Sequence, residues 1–173
     1  MFAPMVISGV LMVIASMGMA YQDFKFRTVS LWTLVLLAVS SGIWSVSVIG
    51  FSSTIHNWAM NVAFVLIQFG LGALVIGLGK GEWKFFDRYI GWGDLLYLIA
   101  VAFAFCTVNF LVFYCVSLLV VLTAFLAYTR TVGSRQTTIP LAGGLSLCSL
   151  LFIAAVYTLG YTPWEDLPLY ALY

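Results

Sequence analysis

Six apolar runs divide this chain, and little is left over once they are set aside. They fall at roughly Pro4 to Tyr21, Val29 to Ile49, Trp58 to Leu78, Asp94 to Cys106, Asn109 to Tyr128 and Ile139 to Leu159. A helix needs about 20 apolar residues to cross a bilayer. In 173 residues, six such segments with short connections leave no space for a separate soluble domain. The expected architecture is therefore all-α: a polytopic membrane protein of six transmembrane helices, with residues 1–173 forming one membrane-embedded domain. Bulk composition agrees, since 64% of residues are hydrophobic and only 8% charged, with a mean hydropathy of +1.11. A soluble domain of this size could not hide that much apolar surface, whereas lipid accepts it.

The fourth and fifth runs are separated only by Thr107, Val108 and Asn109, so one long helix is the competing reading there. Charge decides between them. The seven basic residues are Lys25, Arg27, Lys80, Lys84, Arg88, Arg130 and Arg135. With a turn near Asn109, all seven fall in the loops after the first, third and fifth spans, on one side of the membrane. Without it, Arg130 and Arg135 would move to the opposite side. The positive-inside rule thus favours six spans, with the basic loops in the cytoplasm and both termini outside.

Other features carry less. A net charge of +1 with no basic run gives no reason to expect nucleic-acid binding. Cys106, Cys115 and Cys148 lie in apolar stretches without a CxxC pair, as small apolar side chains rather than metal ligands or disulfide partners. No cleavable signal peptide stands out, because a positive n-region is missing. His56 reads as an interfacial residue of the uncharged connection from Gly50 to Asn57. Gly70, Gly72, Gly77 and Gly79 suggest tight helix packing along the third span, and Asn61 and Gln68 suggest hydrogen bonds between helices at membrane depth.

Asp23 and Asp94 stand out from this background. Asp23 lies at the inner end of the first span, within Tyr21-Gln22-Asp23-Phe24-Lys25-Phe26-Arg27. Asp94 opens the fourth, after Gly91-Trp92-Gly93. The predicted topology puts both at one membrane depth, where a carboxylate is expensive unless hydrated, paired or protonated. Each has an ordinary reading, as an interfacial charge paired with Lys25, Arg27 or Arg88, or for Asp94 as a helix N-cap. The two glycines before Asp94 suggest more, because glycine permits unusual backbone shapes and lets another chain come close. Two neighbouring carboxylates do not readily ionise together. One can then act as a general base on water while the other, protonated, donates to a scissile carbonyl. Water and two carboxylates suffice for that chemistry, so no metal and no organic cofactor is expected.

These residues also carry a resemblance. Gly91-Trp92-Gly93-Asp94 matches the GxGD signature of intramembrane aspartic peptidases, and the stretch from Asp23 to Ser30 resembles the first aspartate motif of the type IV prepilin peptidases. Ile139-Pro140-Leu141-Ala142 is similar to the Ile-Pro segment that opens the last helix in that family. The likeness covers essentially the whole chain. It implies a membrane aspartic endopeptidase with Asp23 and Asp94 as catalytic pair, and Gly91, Gly93, Lys25, Arg27, Ile139 and Pro140 shaping the site or binding substrate. It further implies a place in the inner (cytoplasmic) membrane. The implied partners, besides lipid, are prepilin-like single-span proteins whose short basic leader is removed at the cytoplasmic face. Glu82 and Asp87 would attract such a leader, or else pair with Lys80, Lys84 and Arg88. The chain departs from the family in three places. Leu96 stands where a lysine often follows the GxGD aspartate, and Val29-Ser30 stands where Ile-Pro is common. The cysteine-rich cytoplasmic segment of the bifunctional members is missing, so methyltransferase activity is not expected. A compact peptidase-only form remains, as in preflagellin and tight-adherence pilus peptidases. Two other classes stay open: a non-catalytic homologue serving as an assembly or scaffold subunit, and a small transporter using the aspartates as proton carriers. Transport would call for pseudo-symmetry and ionisable groups near the midplane.

Overall fold

The computed structural model describes residues 2–80, 91–132 and 140–165. Six α-helices make up nearly all of it, and no strand occurs among the described residues. They are α1 (Phe2–Phe26), α2 (Leu31–Ile49), α3 (Phe51–Lys80), α4 (Trp92–Val101), α5 (Thr107–Val132) and α6 (Leu141–Thr158). A single 3-10 turn, Ala102–Ala104, extends α4. Five of the helices are long and apolar enough to cross a membrane, and α4 with its 3-10 turn is a shorter apolar element. The protein is a polytopic membrane protein, all-α in its described residues.

The outward faces fit that setting. Trp32, Leu31, Leu71, Val75 and Leu151 are large, apolar and well exposed, which lipid tolerates and water does not. Inside, α1 packs against α2 and α6, while α4 sits between α2, α3 and α6. One continuous core joins Met12 and Met19 of α1, Leu37 of α2, Tyr97 and Leu98 of α4, Phe105, Phe113 of α5 and Leu145 of α6. Stacked Phe105 and Phe113 rings, 5.0 Å apart, close it beyond the end of α4.

The break between the fourth and fifth runs is real, but it lies earlier than the Asn109 turn expected from sequence. Phe105 is extended (φ −137°, ψ 149°) and α5 begins at Thr107. Asn109 sits inside the first turn of α5, and its Nδ2 donates to the carbonyls of Pro163 and Glu165. A helix that stops at membrane depth leaves its last carbonyls without partners. Here they are met from other helices. Ser41 Oγ donates to the Ala100 carbonyl (3.1 Å), Trp58 Nε1 to Ile99 (3.2 Å), and Asn61 Nδ2 to both Ala102 and Phe105 (3.0 and 3.1 Å). Asn61 therefore does link helices, and Gln68 interacts with Tyr114 of α5.

Other boundaries also move. The connection from Gly50 to Asn57 shrinks to Gly50, whose φ of +82° turns the chain between α2 and α3. His56 is consequently an exposed residue of α3. Ser52, Ser53 and Thr54 read as loop residues, yet the Thr54 hydroxyl donates to the Gly50 carbonyl and meets Ser45, so the polar run starts a helix. The close packing expected of the α3 glycines is not found at Gly70, which faces open space. After α6 the chain turns at Gly160 (φ +83°) and folds back, placing the Trp164 ring 4.6 Å from Trp44.

Candidate active site

Asp23 lies in the last turn of α1, on its inward face, 8% exposed. Just beyond it the helix ends sharply. Arg27 adopts a left-handed conformation (φ 56°), unusual for a side chain of this kind, with its N–H on the Asp23 carbonyl (3.1 Å). The following turn is tied down by Gln22, whose Oε1 accepts from the Ser30 N–H (2.9 Å) and the Thr33 hydroxyl (3.3 Å). Val29 in this turn reaches α4: a Cβ on Gly93 would stand 3.6 Å from Val29 Cγ2. The segment following Asp23 and the segment preceding Asp94 thus pack on each other.

Asp94 is the third residue of α4. Gly91 is the N-cap, accepting the Asp94 N–H at 3.1 Å. The Asp94 carboxyl in turn engages the backbone N–H of Gly91, as the third residue of a capping box does. Neither glycine uses the backbone freedom expected of it, since Gly91 is extended at φ −72° and Gly93 is helical. A Cβ on either would meet its neighbours at ordinary van der Waals distance. A Cβ on Gly91 would lie 3.4 Å from Asp94 Oδ2.

The two carboxyls meet at a third element. Asp23 Oδ2 accepts the Gly143 N–H at 2.7 Å. Asp94 engages the N–H of Ala142, the residue before it, and lies within electrostatic reach of Asp23. Both acids therefore sit on adjacent amides in the first turn of α6, where N–H groups lack helical partners and the helix dipole favours negative charge. Gly143 makes the approach possible. A Cβ there would be 3.1 Å from both Cβ and Oδ2 of Asp23 and 3.3 Å from the Ala20 carbonyl. Gly144, next along, serves the opposite face, because a Cβ there would fall 2.6 Å from Val121 Cγ2 of α5. Neither glycine stood out in the sequence, although a Gly-Gly pair just after a helix-opening proline was a signal to follow.

The remaining expected residues distribute unevenly. Pro140 caps α6, and its carbonyl accepts the Gly144 N–H at 3.1 Å. Arg27 lies within electrostatic reach of Asp23. Lys25 is turned the other way: its Nζ hydrogen-bonds the Tyr21 hydroxyl and lies about 5 Å from the Tyr21 and Phe26 ring centres. Leu96 is 40% exposed on α4. Ile139, Glu82, Asp87, Lys84, Arg88 and Arg135 fall outside the described residues. Among the described residues, no three His, Cys, Asp or Glu side chains gather as a metal site would require.

Beside the pair runs a groove of about 570 Å³ between α5 and α6. Arg27, Tyr128 and Pro140 line it at the end nearest Asp23, and Val120 and Leu151 line it deeper in. No family model matches the chain, and no curated protein or solved structure matches it either.

Proposed function

We propose that this protein is a membrane-embedded aspartic endopeptidase of the prepilin peptidase kind, with Asp23 and Asp94 as its catalytic pair. The observation that carries this reading is the gathering of two carboxyls, 71 positions apart in the sequence, on the neighbouring amides of Ala142 and Gly143. Two acids so placed share a proton and act as one titrating unit. One removes a proton from water as it attacks the scissile carbonyl, and the other protonates the carbonyl oxygen. The substrates in this reading are prepilin-like precursors, cut where a short basic leader meets an apolar helix. By the positive-inside rule the basic loops favour, in this reading, a cytoplasmic position for the pair in the inner membrane with both termini outside. Gly91, Gly93, Arg27 and Pro140 shape the approach to the pair, and Lys25, turned onto Tyr21 and Phe26, takes no part in it.

The same hydrogen bonds favour a second reading, a non-catalytic homologue with a scaffold role. In it, Asp23 braces α1 against α6 and Asp94 braces α4. Isosteric replacement separates the two readings. Asp23→Asn and Asp94→Asn keep an oxygen to accept the Gly143 and Ala142 amides, but lose the shared proton. Processing of a co-expressed pilin precursor should fall by at least about 1,000-fold in each variant, with insertion and thermal stability retained. Normal processing by either variant would falsify the dyad.

A further inference from the structure

The groove between α5 and α6 plays no part in holding the two carboxyls. We infer that it receives the apolar helix of a single-span substrate, with the first turns behind the scissile bond lying between α5 and α6. This rests on the peptidase reading.

Continuity with the pair is the first support. Pro140 and Gly144, which line the groove, flank the two residues whose amides hold Asp94 and Asp23. From Pro140 to Leu151 the groove follows α6 for about 16 Å at 1.5 Å per residue, roughly three turns. A helix lying there begins beside the end of α1 that carries Asp23, where Phe24 and Arg27 line the groove, and runs along α6 into the membrane.

Relief is the second support. Ala124 of α5 and Gly144 and Cys148 of α6, the last two one turn apart, all line the groove, and these small residues sit among larger ones such as Phe125, Leu147 and Leu151. Small residues between large ones let helix backbones approach closely in lipid, where packing rather than the hydrophobic effect drives association. Gly144 is also where α6 comes nearest to α5, through Val121.

Charge is the third. Among the described residues Arg27 is the one charged residue in the lining, and it stands at the end nearest Asp23. Deeper in, the groove offers an apolar helix contact along its whole length and offers a polar segment nothing. The leader, which is basic, then lies beyond Pro140 at the membrane surface. A lipid chain would match the walls, but it would give no reason for the groove to reach Phe24 and Arg27 beside Asp23.

Photo-cross-linking tests the assignment in the full-length protein. With Asp23→Asn in place to hold the substrate, p-benzoylphenylalanine is introduced at Leu147 or Leu151, and at Leu71 of α3 as a control. The probe is a co-expressed pilin precursor with a basic leader. The expected result is a precursor adduct at Leu147 and Leu151 but not at Leu71. Adducts only with lipid, or with a second copy of this chain, overturn the groove while leaving the peptidase standing. In the active protein, Ala124→Trp should raise KM roughly tenfold with kcat within about twofold, and Ala124→Leu should raise it less. Ala124 is exposed, so the core is spared. An unchanged KM for both variants also overturns the groove. If either aspartate variant processes the precursor normally, the peptidase reading falls and the groove falls with it.

Discussion

A hydrogen atom in place of a methyl group at Gly143 is what lets α6 present an amide to Asp23. A side chain there makes Asp23 or the Ala20 carbonyl give way by a few tenths of an ångström, since the contacts stand at 3.1 and 3.3 Å. Misplacing a catalytic group by about 1 Å costs on the order of 100-fold in rate. A shift of a few tenths of an ångström costs less, so Gly143→Ala should lower kcat for precursor cleavage roughly severalfold while leaving KM nearly unchanged, measured on protein that inserts normally. Gly144→Ala should behave differently. Its clash is with Val121, so it should lower thermal stability, and Val121→Ala added to it should restore much of the loss. The two aspartates were legible in the sequence because a carboxylate bordering apolar runs is expensive and so has few explanations. Gly143 was not. A glycine in a membrane helix has many uses, and its role here depends on what lies across the interface, 120 positions away in the chain.

At the level of the element, α4 is the unusual member. Ten helical residues and one 3-10 turn reach only about 21 Å, against a hydrocarbon core of about 30 Å. Its early end is stable because Ser41, Trp58 and Asn61 cover the carbonyls it leaves behind. Asn61→Leu removes two of those bonds while keeping the volume. It should destabilise the protein by roughly 1–2 kcal/mol, seen as a lower Tm in detergent, and more than Ser41→Ala, which removes a single bond from α4. The sequence placed this break within a few residues because only an interruption there kept the basic residues together. It misplaced the turn because Asn109, polar and turn-prone, is spent on the chain that returns after α6. For the same reason the helix start at Phe51 was hidden. Ser52, Ser53 and Thr54 have loop composition, but Gly50 alone supplies the turn.

Across the whole molecule, the first and last turns of alternate helices gather at two ends. Asp23, Arg27, Arg130, Gly91 and Pro140 belong to one end, and Gly50, Phe105 and Trp164 to the other. Orientation is then a single binary property of the chain, and labelling can read it. In a variant without native cysteines, Thr131→Cys should be shielded from a membrane-impermeant thiol reagent in intact cells. Ser52→Cys should react with it. The reverse pattern would turn the acids to the outside and remove the cytoplasmic leader from the proposed chemistry. The short α4 also bears on how the chain is made. Ser41, Trp58 and Asn61 all precede α4 in the sequence, so during synthesis they leave the ribosome before the carbonyls they cover. The partners of the least lipid-compatible segment are in the membrane first, and the order of translation becomes an order of assembly.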